Sequence, residues 1–418
     1  MKRKEIYSFL KRNKNFAHLW VSQILQLVTI NMVNFLMMKA IYEKTNSALA
    51  VSFLWVFYYL PAFFVGPFSG LVVDRFSKRK ILIFTNILQA ITMLLYLLIG
   101  QTTYPIYTFV FLYSLMDEFY APAESASLPG LVKVEDLPVA NSLFFATSQG
   151  ALLIGFGLGG ILMRVLGQNN IIVLSAVFLL LAAISVRSLP KDKGKTKDIT
   201  DFFSFWSELK LGYSFIAEKR IVLFPMILSV AFGILLTVFG VSIPVVASKL
   251  LNIRIEDAGP ALIIPLGLGA LLGMNTFTRL SKKYRKKVFI KTGVLVSFII
   301  FMIFALLLPF FGKFIIPITV VLMFFLGFAG LLVFIPNQTL LQENIPSGLR
   351  GRVFGTLNFV YTIVTLPFLL FSATLIDSFG VRLFIFLAGF SVFLLFICFK
   401  KAELSINTEQ INLQNGNS

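Results

Sequence analysis

Apolar residues run along this chain in long blocks, with polar and basic residues gathered in short stretches between them. A helix needs roughly 20 mainly apolar residues to cross a bilayer. By that ruler the pattern predicts twelve membrane-spanning helices. They fall near 16–38, 48–72, 81–100, 104–123, 140–166, 171–188, 221–248, 258–280, 288–308, 314–336, 353–376 and 381–399. The first is not expected to be a cleaved signal, since it is too long, holds Gln23, Gln26, Asn31 and Asn34, and lacks a small-residue cleavage site.

The breaks in the pattern order the chain. Cytoplasmic loops carry an excess of Lys and Arg, and 29 of these residues fall on one face against seven on the other, with Lys291 inside a span. Both termini are therefore expected in the cytoplasm of a cell-membrane protein. The longest connection divides six spans from six. The expected organisation is a bundle over 1–190, a cytoplasmic linker over 191–219, a second bundle over 220–400 and a disordered tail over 401–418. Within the linker, Thr200 or Asp201 can cap a helix whose Phe202, Phe205, Trp206, Leu209, Tyr213 and Ile216 share one face, an amphipathic element for the inner leaflet. The halves also repeat: Pro122 to Phe145 aligns with Pro336 to Phe359 at an offset of 214 without a gap. Parallel repeats are one way transporters are built. The fold class is all-α, two pseudo-symmetric six-helix bundles in a membrane.

Composition narrows the alternatives. The chain is 57% hydrophobic and 13% charged, against roughly 25% charged in soluble domains. The net charge of +18 does not point to nucleic acid, because the bases sit in loops between apolar runs. One cysteine, Cys398, and one histidine, His18 beside Trp20, provide neither a disulfide nor a metal site. Walker, Rossmann and catalytic-triad signatures are absent, so no enzyme, cofactor or metal is expected.

The fourth span breaks the apolar pattern most sharply. Asp117 and Glu118 stand side by side over a dozen residues into it. A charged side chain at the bilayer centre costs about 2.5–3.5 kcal/mol on insertion scales. Such acids persist where they face a cavity, pair with a base or stay protonated. Tyr113, Asp117, Tyr120 and Glu124 follow at helical spacing and form one stripe, while Glu118 lies about 100° round it. Asp117, Glu118 and Glu124 are the candidates for proton coupling; the plainer alternative is a structural pair that bonds Lys39. Gln26, Asn31, Asn34, Tyr113, Gln149, Asn358 and Tyr361 are candidates to line a substrate cavity.

The loop Gly70-Leu71-Val72-Val73-Asp74-Arg75-Phe76-Ser77-Lys78-Arg79-Lys80 resembles the signature G-x-L-a-D-r-x-G-r-k of the major facilitator superfamily. Gly70, Asp74, Arg75, Lys78 and Arg79 match; Val72 and Ser77 depart from the usual Leu and Gly. The stretch from Gly150 to Gly160 is similar to the G-P-x-x-G-G motif of the superfamily's antiporters, with Gly155, Gly159 and Gly160 matching and Phe156 in place of proline. Asn15 to Trp20, Glu43 to Ala48 and Gly351 to Gly355 add a likeness to bacterial macrolide-efflux and siderophore-exporter relatives. The resemblance implies a monomeric drug–proton antiporter. In such a carrier a small lipophilic compound and protons bind alternately, and Asp74 acts as a conformational latch near Gly351 and Arg352. A lipid or lysophospholipid carrier on the same fold, or a non-transporting scaffold or sensor, are the alternatives.

Overall fold

The computed structural model describes residues 3–99, 103–191, 213–214, 216, 220–346 and 349–397. The expected amphipathic helix and the tail lie outside these residues, apart from Tyr213, Ser214 and Ile216. Every described element is helical. In order they are α1 (Arg3–Arg12), α2 (Lys14–Thr45), α3 (Ala48–Arg75), α4 (Lys78–Ile99), α5 (Thr103–Ser127), α6 (Leu137–Leu152), α7 (Gly159–Leu166) and α8 (Gln168–Val186). After the linker come α9 (Arg220–Val245), α10 (Ile264–Leu280), α11 (Lys286–Met302), α12 (Ile315–Asn344) and α13 (Arg350–Phe379). The last is α14 (Val381–Ile397).

Among the described residues ten helices are long and apolar enough to cross a membrane. The two expected spans outside that set are α5 and α14. The first has ample length at 25 residues, but Asp117, Glu118 and Glu124 dilute its apolar run. The second is simply shorter. Large apolar side chains such as Leu98, Phe310 and Phe371 are exposed, as expected of surfaces that lipid covers.

The chain divides into two compact units, Met1–Phe202 with Ile255–Gly259, and Phe203–Arg254 with Pro260–Ser418. Local chemistry sets the joints. Ser47 caps α3 by accepting the Ala50 amide at 3.2 Å, and Asn46 before it takes the left-handed turn, φ 49°. Gly167 and Gly380 both sit at φ above +80° with ψ near 157–158°, a region open essentially to glycine alone. They separate α7 from α8 and α13 from α14, so the same backbone joint recurs at corresponding places in the two halves. In the second unit, α10 and α12 touch through bare backbone: a β-carbon on Gly269 would strike the Phe324 carbonyl, and one on Gly327 the Leu266 carbonyl. In lipid, where apolar surface gains nothing by leaving the solvent, such close contact is what holds helices together.

Four stretches continue a helix with widened π-type turns: Leu153–Leu158, Val246–Leu250, Gly259–Ile263 and Ile303–Leu307. The first joins α6 to α7, so the glycine-rich stretch is a bulged segment between two helices rather than one straight span.

Candidate functional site

The polar side chains of the first unit meet along one seam, where α2 and α5 pack. Ser22 Oγ lies 3.0 Å from the Tyr120 hydroxyl. Gln23 Nε2 donates to Glu124 Oε2 at a long 3.4 Å, and Gln26 Nε2 donates to Asp117 Oδ1 at 2.5 Å. Further along, the Tyr113 hydroxyl donates to Asn34 Oδ1. From the Ser22–Tyr120 and Gln23–Glu124 contacts through Gln26–Asp117 to Asn34–Tyr113, the seam advances along α2 as it retreats along α5, which is the register of two antiparallel helices. The stripe on α5 and the amides of α2 are thus two sides of one contact.

The two adjacent acids separate. Asp117 turns to α2, whereas Glu118 lies against α3, where a β-carbon on Gly66 would come 3.5 Å from its Oε2. Among the described residues no base pairs with Asp117, Glu118 or Glu124. Glu124 is buried, and its Oε1 and the neighbouring Gln23 Oε1 have no hydrogen-bond partner among the described residues. Asp117 and Glu124, held by amide donors rather than by bases, can exchange a proton without breaking an ion pair.

Lys39, the base named as their alternative partner, is engaged elsewhere. Its ammonium is 2.9 Å from Glu43 and 3.2 Å from Glu256. Arg164 pairs with Asp257. The turn Ile255–Gly259, which follows α9 in sequence, therefore belongs by its contacts to the first unit.

The remaining candidates are placed as follows. Asn31 donates to the Leu27 carbonyl at 2.7 Å and abuts Gly155, where a β-carbon would collide with Asn31 Cβ and the Met32 amide. Gly160 packs on the Glu256 main chain in the same manner, while Gly159 has its nearest neighbour, Phe35, at 3.6 Å from the same position. Gln149 and Asn358 are exposed. In the second unit Tyr361 bonds Thr237 Oγ1 at 2.7 Å and its ring covers Gly233. Gly70 has open space around it, and Asp74 and Arg75 are exposed at the end of α3, with Lys78 and Arg79 opening α4. The side chain of Arg352 lies outside the described residues.

Reading the residues alone missed the α4 partners. Asn86 Nδ2 reaches Ser22 Oγ at 3.5 Å and the Leu82 carbonyl at 2.8 Å, and Gln89 Nε2 donates to the Tyr113 carbonyl at 3.1 Å. Both are buried. Two amides three residues apart within the apolar run of α4 were the available signal, too short to show a period. Also missed was an aromatic cluster on α3 beside the acids: Trp55, Tyr58 and Tyr59, with ring centroids 5.3–6.3 Å apart and Tyr58 6.2 Å from Tyr113.

Residues 19–365 match the family model described as Major Facilitator Superfamily. The chain belongs to that superfamily. It is a multi-pass membrane transporter of small molecules and not an enzyme. Macrolide efflux protein A of Streptococcus pyogenes is 23% identical over 390 residues, covering 90% of this chain and 92% of that protein. An uncharacterized MFS-type transporter of Bacillus subtilis, YfiS, is 23% identical over 363 residues, 84% of each chain. Among solved structures, a variant of the nucleoside transporter NupG superposes with a TM-score of 0.72 at 12% identity, covering 93% of this chain and 99% of that one. A bacterial homologue of the iron transporter ferroportin gives 0.71 at 14% identity, covering 93% and 98%. In this major facilitator protein the α2–α5 seam is the strongest concentration of buried polar chemistry in the first unit.

Proposed function

We propose that this major facilitator protein exports small lipophilic or amphiphilic compounds by alternating access, driven by protons that move inward. The observation that carries this reading is the placement of Asp117 and Glu118 within a helix of the bundle, one held by Gln26, neither by a base. A carboxylate left without a counter-charge in a low-dielectric setting is far more stable when protonated. It becomes ionised when water or a ligand reaches it, and that difference is what couples a proton to a conformational change. The rings of Trp55, Tyr58 and Tyr59 beside the acids offer apolar faces that suit a lipophilic substrate, and a cationic one can stack on them. The likeness to a macrolide efflux protein supports export over import. The loop from Gly70 to Arg79 is assigned the switching role, with Asp74 as the acid that biases one state against the other. The protein works as a monomer in the cell membrane with both termini cytoplasmic.

The test is efflux from proteoliposomes under an imposed proton gradient, with a panel of macrolides and other lipophilic drugs. Asp117→Asn and Glu118→Gln should each abolish gradient-driven transport while substrate binding persists. Full gradient-driven transport by both variants would remove the acids from the mechanism.

A further inference from the structure

The hairpin between α10 and α11 holds five bases in six residues: Lys282, Lys283, Arg285, Lys286 and Lys287, interrupted by Tyr284. They line one open cavity of about 490 Å³, with Leu340 as an apolar wall. Glu343 forms an ion pair with Lys286 there. Lys283 lies 5.5 Å over the Tyr284 ring, and Lys282 and Arg285 are exposed without an ion-pair partner among the described residues. The matching hairpin of the first half carries Asp74 among its bases, where this one has Ser281. Like charges crowded at the start of α11 repel one another and oppose the positive end of its helix dipole. An anion in the cavity relieves both.

The surroundings say which anion. The hairpin joins two helices long and apolar enough to span the bilayer, ending at Leu280 and beginning at Lys286. It is therefore at the membrane surface, on the face that the Lys and Arg distribution assigns to the cytoplasm. Leu280, Tyr284 and Val288 are exposed around it, an apolar rim against which acyl chains can lie while a phosphate sits among the bases. We propose that this cavity binds the phosphate headgroup of one anionic phospholipid of the inner leaflet. The inference is independent of the transported substrate and rests only on that orientation.

Native mass spectrometry of the full purified chain, titrated with phosphatidylglycerol, phosphatidylcholine or inorganic phosphate, tests it. One phosphatidylglycerol should bind in preference to phosphatidylcholine and survive millimolar phosphate. The triple variant K282Q/K283Q/R285Q should weaken that binding roughly fivefold for each charge removed. K282R/K283R should retain it, which separates lost charge from a damaged hairpin. K2Q/R3Q/K4Q, with the same change in net charge, should bind as the wild type does. An equal loss in that N-terminal variant would mean diffuse attraction and overturn the proposal. So would equal binding of phosphatidylcholine, or displacement of the lipid by phosphate, which would mark a site for small anions.

Discussion

Gln26 holds Asp117 across the α2–α5 seam with a hydrogen bond of 2.5 Å, the shortest link between an amide and an acid in the first unit's polar network. Interhelical hydrogen bonds in membranes average about 0.6 kcal/mol of stability, too little to decide whether the bundle folds. Bonds to a charged group can be worth about 1.5–3 kcal/mol, enough to matter to the proton exchange proposed for Asp117. Gln26→Leu should accordingly purify and melt like the wild type but lose gradient-driven transport by roughly tenfold or more. A variant that transports normally would make the contact structural only.

Glu124 is less well served, with one long bond and an orphaned oxygen. A buried polar group without a full set of partners costs stability, and functional sites commonly carry such a cost. Glu124→Gln should therefore stabilise the fold by on the order of 1 kcal/mol, read as a higher thermal midpoint in detergent, while slowing proton-driven exchange. Lower stability together with normal exchange would show that the carboxylate is a packing element.

The three glycines of the α6–α7 stretch are unequal. A methyl at Gly155 or Gly160 meets neighbouring main chain, and one at Gly159 does not. Alanine at 155 or 160 should cost about 1–3 kcal/mol by overpacking. At 159 it should be neutral or favourable by up to about 1 kcal/mol, as expected of glycine replacement within a helix. Equal sensitivity at all three, measured by thermal unfolding, would show that the motif matters for motion and not for contact.

Asp74 calls for a kinetic measurement. Because Gly70 has room around it, Gly70→Ala should leave the fold intact. If the loop controls the exchange of states, Asp74→Asn should lower the maximal rate several-fold with the half-saturating substrate concentration little changed. Unchanged turnover would remove the switching role.

Much of this was legible in the pattern of residues, and the exceptions have physical causes. Twelve spans were read from length and apolar content, and ten helices among the described residues are long and apolar enough to cross, because a membrane helix must satisfy its backbone internally and bury a fixed thickness. The stripe of Tyr113, Asp117, Tyr120 and Glu124 was legible because helical spacing makes a face. Its partners were only half legible: Gln26 and Asn34 stood out as amides, but Asn86 and Gln89 on α4 are too few to show a period. The grouping of Glu256 and Asp257 with Lys39 and Arg164 could not be read at all, since nothing local in a short turn tells it which distant helix its charges will meet. The divergence of Asp117 and Glu118 onto different neighbours needed the packing of α3 against α5.

The α2–α5 seam also bears on assembly. Lipid is as apolar as leucine, so oily helix faces carry no address, and α2 and α5 enter the bilayer with two other spans between them. Four polar pairs in one antiparallel register supply that address. Inserting one residue near the middle of either helix would turn the residues beyond it by about 100° and undo every pair on that side at once. The acids proposed to couple protons would thus also serve as a recognition code by which two non-consecutive helices find each other inside the membrane.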